Sequence, residues 1–393
     1  MNQRELFLKH IAQTSPSPIG LEIVKAEGSL LWDKKGNEYI DLIAGISVCN
    51  VGHRHKNVTK AIKKQVDEYL HILVYGEMIE SPQVRYAKQL TDHLPSSLNT
   101  VYFTNSGAEA TEGAMKLAKR VTGRTGIIAF NQSYHGSTQG ALSIIGDEYW
   151  RNAFRPLLPG ILHEEYNSTT AVDAITASTA CVILETVQAE KGVIEPDINW
   201  LMAIREKCND TGTLMVMDEI QTGFGRTGTV WGFERYGIIP DIILLGKALG
   251  GGMPLGAFIA DKKLMDLFTH SPVLGHITTF GGHPVSCAAG LAAFEVLLDK
   301  ELVKKIEAKQ SLFQQLLGNL EGCLLRSVGL LMALEFESFE LNKKVIDRCL
   351  GDGVLTDWFL FAPHCMRIAP PLTISKKEIR KACGVIQTAI RSL

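Results

Sequence analysis

Apolar and polar positions along the chain change period repeatedly, and each change marks an expected element. Between residues 20 and 45, "LEIVKAEGSLLWDKKGNEYIDL" predicts short strands around a turn at Lys35-Gly36-Asn37. Apolar positions three and four apart predict helices over "VTKAIKKQVDEYL", "SPQVRYAKQLTDHL" and "LMAIREKCNDTG". A further helix over "GAEATEGAMKLAKRVTG" is expected to stop at Gly123. Between these lie short runs of another kind: "TVYFTN", "GIIAF", "ACVILET", "TLMVMDEI" and "DIILLG". Continuous apolar stretches such as CVIL, LMVM and IILL suit strands buried on both faces of a parallel sheet. Alternation of strands and helices on this scale predicts a large α/β domain over residues 51–285.

Beyond about residue 285 the pattern changes. One long helix is expected over "VSCAAGLAAFEVLLDKELVKKIEAKQSLFQQLL", followed by "GLLMALEFE", a helix near 340–351, and "MRIAPPLTISKKEIRKACGVIQTAI". That predicts a smaller α+β C-terminal domain over residues 286–393.

Composition narrows the class of protein. At 393 residues the chain is long for one core. It is 46% hydrophobic and 21% charged, ordinary for a soluble globular protein. With 40 basic against 42 acidic residues there is no electrostatic case for nucleic acid or an anionic membrane. The opening "MNQRELFLKHIAQ" has charges where a signal peptide needs an apolar core, and no uncharged run is long enough to span a bilayer. A cytoplasmic location is expected. The eight cysteines are scattered without a CxxC pair and are expected to be reduced thiols. No metal is expected, since His53 and His55 lack a third ligand.

Candidate chemistry centres on "IILLGKALGGGMPLG", where Lys247 stands between a buried-strand signal and a cluster of glycines. A lysine there lies at the carboxyl edge of the sheet, where open α/β folds bind ligands. Desolvation disfavours its ammonium, and a neutral amine can attack a carbonyl to form a Schiff base. The glycines are expected to let backbone approach a flat ligand. The plainer alternative is a lysine snorkelling out of a strand end. Asp218 in "LMVMDEIQTGFGRTG" ends a strand at the same edge, either as a helix cap or as the anion for a protonated ring nitrogen such as that of pyridoxal phosphate. Ser106-Gly107-Ala108 opens a helix after a strand, either as a plain cap or as a phosphate site. Tyr134 in "NQSYHGST" can stack on a planar ring, with Gly136 allowing a tight bend, or be simply half-buried.

Taken together, "NSGAEA", "YHG", "ETVQAEKGV", "DEIQTGFGRTG", "GKALGGGMPLGA", "TTFGGHP" and "MRIAPPL" make the chain resemble the class III (acetylornithine, ornithine and 4-aminobutyrate type) pyridoxal-phosphate aminotransferases. The resemblance runs from about residue 20 to the C-terminus. It implies the fold-type I architecture: a large domain with a mainly parallel seven-stranded sheet, a small C-terminal domain, and residues 1–50 as a segment of the small domain or of a dimer contact. It implies that Lys247 holds the cofactor aldehyde and later moves a proton. It assigns Gly107, Ala108 and Ser106 to the phosphate, Tyr134 to the ring face, Asp218 to the ring nitrogen and Gln221 to the phenolic oxygen. Thr279 resembles the residue that reaches the phosphate from the other subunit, which implies a homodimer with shared sites. Glu190 and Arg367 match the family's switch pair, Arg367 taking the α-carboxylate of 2-oxoglutarate or glutamate and Glu190 neutralising it while an ω-amino donor is bound. A ping-pong aminotransferase with an ω-amino donor and 2-oxoglutarate as acceptor is the expectation.

Two departures bear on the donor. Ser137 stands where the family usually carries an arginine for the donor's distal carboxylate, which resembles enzymes acting on amines or less common ω-amino donors. "GISVCNVGH", with Ile46, resembles acetylornithine enzymes instead. His283, in "GGHP" where "GGNP" is usual, has no assigned role. An aminomutase of the glutamate-1-semialdehyde type is the alternative within the family; the switch pair argues against it. An NAD-dependent oxidoreductase is the alternative outside it, because "GFGRTG" formally matches a dinucleotide fingerprint. Asp218 to Thr222 separate that match from its strand, and no good helix follows it.

Overall fold

In the computed structural model, residues 2–392 are described; residues 1 and 393, which bound the first and last expected spans, lie outside them. Among the described residues, fourteen strands form three sheets. An N-terminal ribbon consists of β1 (Ile23–Glu27), β2 (Leu30–Asp33) and β3 (Glu38–Asp41). Its second turn closes because the Asp33 carboxylate accepts the Lys35 and Asn37 backbone N–H groups, each at 2.9 Å. Gly36 supplies the required positive φ of +86°.

The large sheet contains β4 (Thr100–Thr104), β5 (Gly126–Phe130), β6 (Ile161–Glu164), β7 (Thr179–Glu185), β8 (Leu214–Asp218), β9 (Ile242–Leu245) and β10 (Gly256–Ala260). Their order is β4-β10-β9-β8-β7-β5-β6, and β10 runs antiparallel to both neighbours while the others are parallel. The continuous apolar runs are explained by what covers each face. Val182 and Leu184 enter one core together with Met215, Met217, Ile243 and Leu245. Ile183 enters the opposite one with Val216, Ile242 and Leu244. Each such side chain, fully buried, contributes roughly 1.5–3 kcal/mol relative to exposure.

The C-terminal part contributes β11 (Leu324–Val328), β12 (Leu331–Glu335), β13 (Val354–Leu355) and β14 (Cys365–Ile368). β11, β12 and β14 form their own antiparallel sheet, whereas β13 pairs in parallel with β3 and extends the N-terminal ribbon. No helix among the described residues is long and apolar enough to cross a membrane.

Most expected elements appear where the periodicity puts them, but the long C-terminal helix does not. It divides into Pro284–Asp299 and Ile306–Leu317, with Glu301 at φ +48° between them. The first half packs on the helices Lys56–Glu68 and Ser81–Thr91, and the second on Lys376–Arg391. One straight helix could not reach both, and the polar run Asp299-Lys300-Glu301 accepts the break. β6, β10 and β11 lie outside the strands expected from the periodicity.

Candidate active site

The carboxyl edge of the large sheet gathers charge. Glu185 and Asp218 end adjacent strands and are register partners, and Asp218 lies beside Leu244 of β9. Two residues beyond fully buried β9, Lys247 adopts φ +47°. A non-glycine residue in this left-handed region costs about 1–3 kcal/mol and is characteristic of functional sites. These groups line one cavity of about 250 Å³, together with Gly107, Ala108, Tyr134, Gly136, Ser137, Glu190 and Gln221.

Around Lys247 the environment favours a neutral amine. Burial lowers its pKa; Glu190, Asp218 and Glu185 oppose this and Arg367 assists it. Its Nζ donates to Gln221 Oε1 at 3.1 Å. Asp218 is held rigidly: one oxygen accepts the Ile220 N–H at 2.9 Å and the other meets His135 Nδ1 at 2.7 Å. The His135 ring is fully buried, and although burial pulls its pKa down, the Asp218 contact leaves it raised. Glu185 accepts the Tyr134 and Ala189 N–H groups at 3.0 and 3.1 Å. Burial pushes it up to about 7, against His135 and with Asp218. His135 and Glu185 were missed by sequence reasoning, although "YHG" and the carboxylate ending "CVILE" carried the signal.

Arg367 does not itself line the cavity, but it forms a two-pronged bond with Glu190, which does, Nη1 to Oε1 at 2.8 Å and Nη2 to Oε2 at 3.0 Å. Their side chains are only 3% and 6% exposed. Burial opposes charge on both, but the pairing outweighs it, raising the pKa of Arg367 and lowering that of Glu190. Gln221 Nε2 donates to Glu190 Oε1 at 3.4 Å, linking this pair to Lys247.

The remaining expected residues divide. Gly107 and Ala108 line the cavity at the start of the sixteen-residue helix Gly107–Thr122. Ser106 caps that helix through Glu109 N and does not line the cavity. Tyr134 lines it, its hydroxyl 3.1 Å from Ser137 Oγ. Gly136 makes the expected bend at φ +126°, and a Cβ there would fall 2.5 Å from that of Ala108. Thr279 is exposed and outside this cavity. The glycines after Lys247 correct an expectation: Gly250, Gly251 and Gly252 do not line the cavity. A Cβ on Gly251 would come 2.6 Å from the Ala289 carbonyl, so the turn admits the helix Pro284–Asp299 and not a ligand. His283 caps that helix, its ring accepting the Val285 N–H at 3.3 Å. His53 pairs with Asp41 at 2.6 Å. In "GFGRTG", Arg226 is fully buried and donates to the Leu330 and Pro370 carbonyls, which leaves no dinucleotide loop.

The cavity fits pyridoxal phosphate by its donor set. An aldehyde needs an amine, a ring nitrogen that must stay protonated needs an anion, and a phosphate needs free N–H groups at a helix start. Lys247, Asp218 and the Gly107–Ala108 helix start meet these demands within one cavity.

Comparison with known proteins agrees. The family model described as aminotransferase class-III matches residues 11–390. An acetylornithine aminotransferase of Methanopyrus kandleri is 40% identical, covering 100% of both chains. One from Bacillus subtilis is 37% identical over 94% of this chain and 95% of its own. Among solved structures, the ornithine aminotransferase of Toxoplasma gondii superposes with TM-score 0.90 at 30% identity, covering 99% of this chain and 93% of its own. A transaminase from the marine bacterium Virgibacillus does so with TM-score 0.91 at 28% identity, covering 99% and 98%.

Proposed function

The chain belongs to the class III aminotransferases, whose cofactor is pyridoxal phosphate, and on that premise we propose that it moves the amino group of an ω-amino donor to 2-oxoglutarate. The donor is N-acetylornithine, ornithine, 4-aminobutyrate or a close relative, and the products are an aldehyde and glutamate, released in two alternating half-reactions. The observation that carries this reading is the buried Glu190–Arg367 pair tied through Gln221 to Lys247. A single-substrate enzyme has no use for a cation that can be covered and uncovered beside its base.

When bound, the cofactor supplies a carbonyl that takes up the donor's amine and a protonated ring that accepts the electron pair left by the departing proton. Asp218 would hold the ring nitrogen, the helix start at Gly107 and Ala108 with Ser106 the phosphate, Tyr134 the ring face, and Gln221 the phenolic oxygen. Lys247 Nζ, whose pKa burial lowers, takes a proton from the donor carbon and returns it. His135 fixes the Asp218 carboxylate, so its charge needs no reorientation. Glu190 covers Arg367 while the donor occupies the cavity; once it withdraws, the arginine fork meets the α-carboxylate of 2-oxoglutarate. A homodimer with Thr279 contributed across the interface belongs to the same proposal, supported by the exposure of that residue.

One observation favours a narrower donor class. Lys247 is the only lysine or arginine among the described residues lining the cavity, and Ser137 offers a distal carboxylate no charge. A donor without a distal carboxylate fits that lining. The visible absorbance of the purified holoenzyme discriminates. Bleaching by N-acetylornithine and recovery with 2-oxoglutarate support the acetylornithine reading. Bleaching only by glutamate and by simple amines moves the assignment to the narrower class. No response to glutamate or any amine refutes the function.

A further inference from the structure

Arg367 has a second carboxylate partner that the switch pair does not account for. Its Nε donates to Asp357 Oδ1 at 2.8 Å, on the side away from the fork that Glu190 occupies. The two residues are also tied through backbone, with Arg367 N donating to Asp357 O at 2.9 Å. Nη2 meets the Trp358 carbonyl at 3.2 Å, and the guanidinium lies 4.3 Å above the ring of Phe359, which is fully buried. One short segment, Asp357-Trp358-Phe359, therefore holds the edge and one face of the guanidinium plane. Only the Nη1/Nη2 fork is committed to Glu190.

This matters when Glu190 lets go. A buried guanidinium stripped of its sole anion would be strongly destabilised and free to re-aim. With Asp357 in place it keeps one charge-assisted bond on Nε and a fixed plane, so the vacated fork presents the two parallel donors a carboxylate needs. We propose that Asp357 is the positioning residue of the acceptor site, holding the Arg367 fork in its carboxylate-binding orientation through the exchange of Glu190 for the substrate's carboxylate. The inference rests on the reading of Arg367 as the acceptor's clamp.

Single-turnover kinetics of the holoenzyme test it, with an amine donor driving one half-reaction and 2-oxoglutarate the other. Asp357→Ala is expected to lower the efficiency of the 2-oxoglutarate half-reaction about 30-fold more than that of the donor half-reaction. Asp357→Asn, which retains an acceptor for Nε, is expected to recover most of that loss. Equal effects on both half-reactions, or none, overturn the proposal. Should the alanine variant fail to fold, Asp357→Asn alone decides: a loss of about twofold to fivefold confined to 2-oxoglutarate supports the role, and an even or absent loss overturns it. Arg367→Lys in the same assay separates the two levels. If it leaves 2-oxoglutarate untouched, the clamp reading itself falls; if it impairs 2-oxoglutarate while Asp357→Ala does not, only this inference falls.

Discussion

The two ends of the cavity handle buried charge in opposite ways. At the sheet edge, Lys247 and Glu185 are driven by burial toward their neutral forms, and Asp218 is locked between His135 and a backbone N–H. At the Glu190 end, Glu190 and Arg367 are driven further into their charged forms by each other. The edge is built for proton movement at a fixed place, which needs groups near neutrality. The Glu190–Arg367 pair is built for exchange of one carboxylate for another, which needs a permanent cation with more than one anion available. The difference separates chemistry common to both half-reactions from recognition specific to one.

Breaking the edge has the largest expected effect. Lys247→Ala removes the base for both half-reactions, so glutamate formation is expected to fall at least about 10⁴-fold with either donor. Turnover within about tenfold of the unaltered enzyme would show that another group moves the proton. Breaking the Glu190–Arg367 pair is expected to have a smaller and one-sided effect. Arg367→Lys keeps the charge but loses the fork, and a loss of about 100-fold is expected with 2-oxoglutarate and much less with the amine donor. An equal loss in stopped-flow traces of both half-reactions would erase the distinction between the two ends.

The two ends also differ in how plainly the sequence announces them. Lys247 and Asp218 each follow directly on a buried apolar run, and Gly107 opens a periodic helix, so local pattern and sheet topology suffice to bring them together. The buried ion pair is assembled from segments 177 positions apart, and only the motif resemblance paired Glu190 with Arg367. Asp357 carried no signal, because its role depends on β13 and β14 bringing residues 354–368 back on themselves. The glycines after Lys247 misled for a related reason: the packing partner of Gly251 is a helix almost forty residues later, and a run of glycines does not say what approaches it.

The smallest predicted effect is also the most direct test of the comparison, because its two arms differ in sign. Glu185 has a folded pKa near 7, above its ordinary 4.5, so its stabilising contribution is complete below about pH 4.5 and is lost as pH rises through 7. Glu190 is lowered, so its contribution is complete above about 4.5 and is lost as pH falls through its depressed pKa. Denaturant titrations of the cofactor-free chain from acid to pH 8 should therefore move Glu185→Gln and Glu190→Gln oppositely relative to the unaltered chain. Glu185→Gln should gain roughly 1–3 kcal/mol between pH 4.5 and 8, and Glu190→Gln should lose stability as pH climbs through the acid range to 4.5. Trends of the same sign would contradict the division of the site into a neutralised sheet edge and a charged Glu190–Arg367 pair.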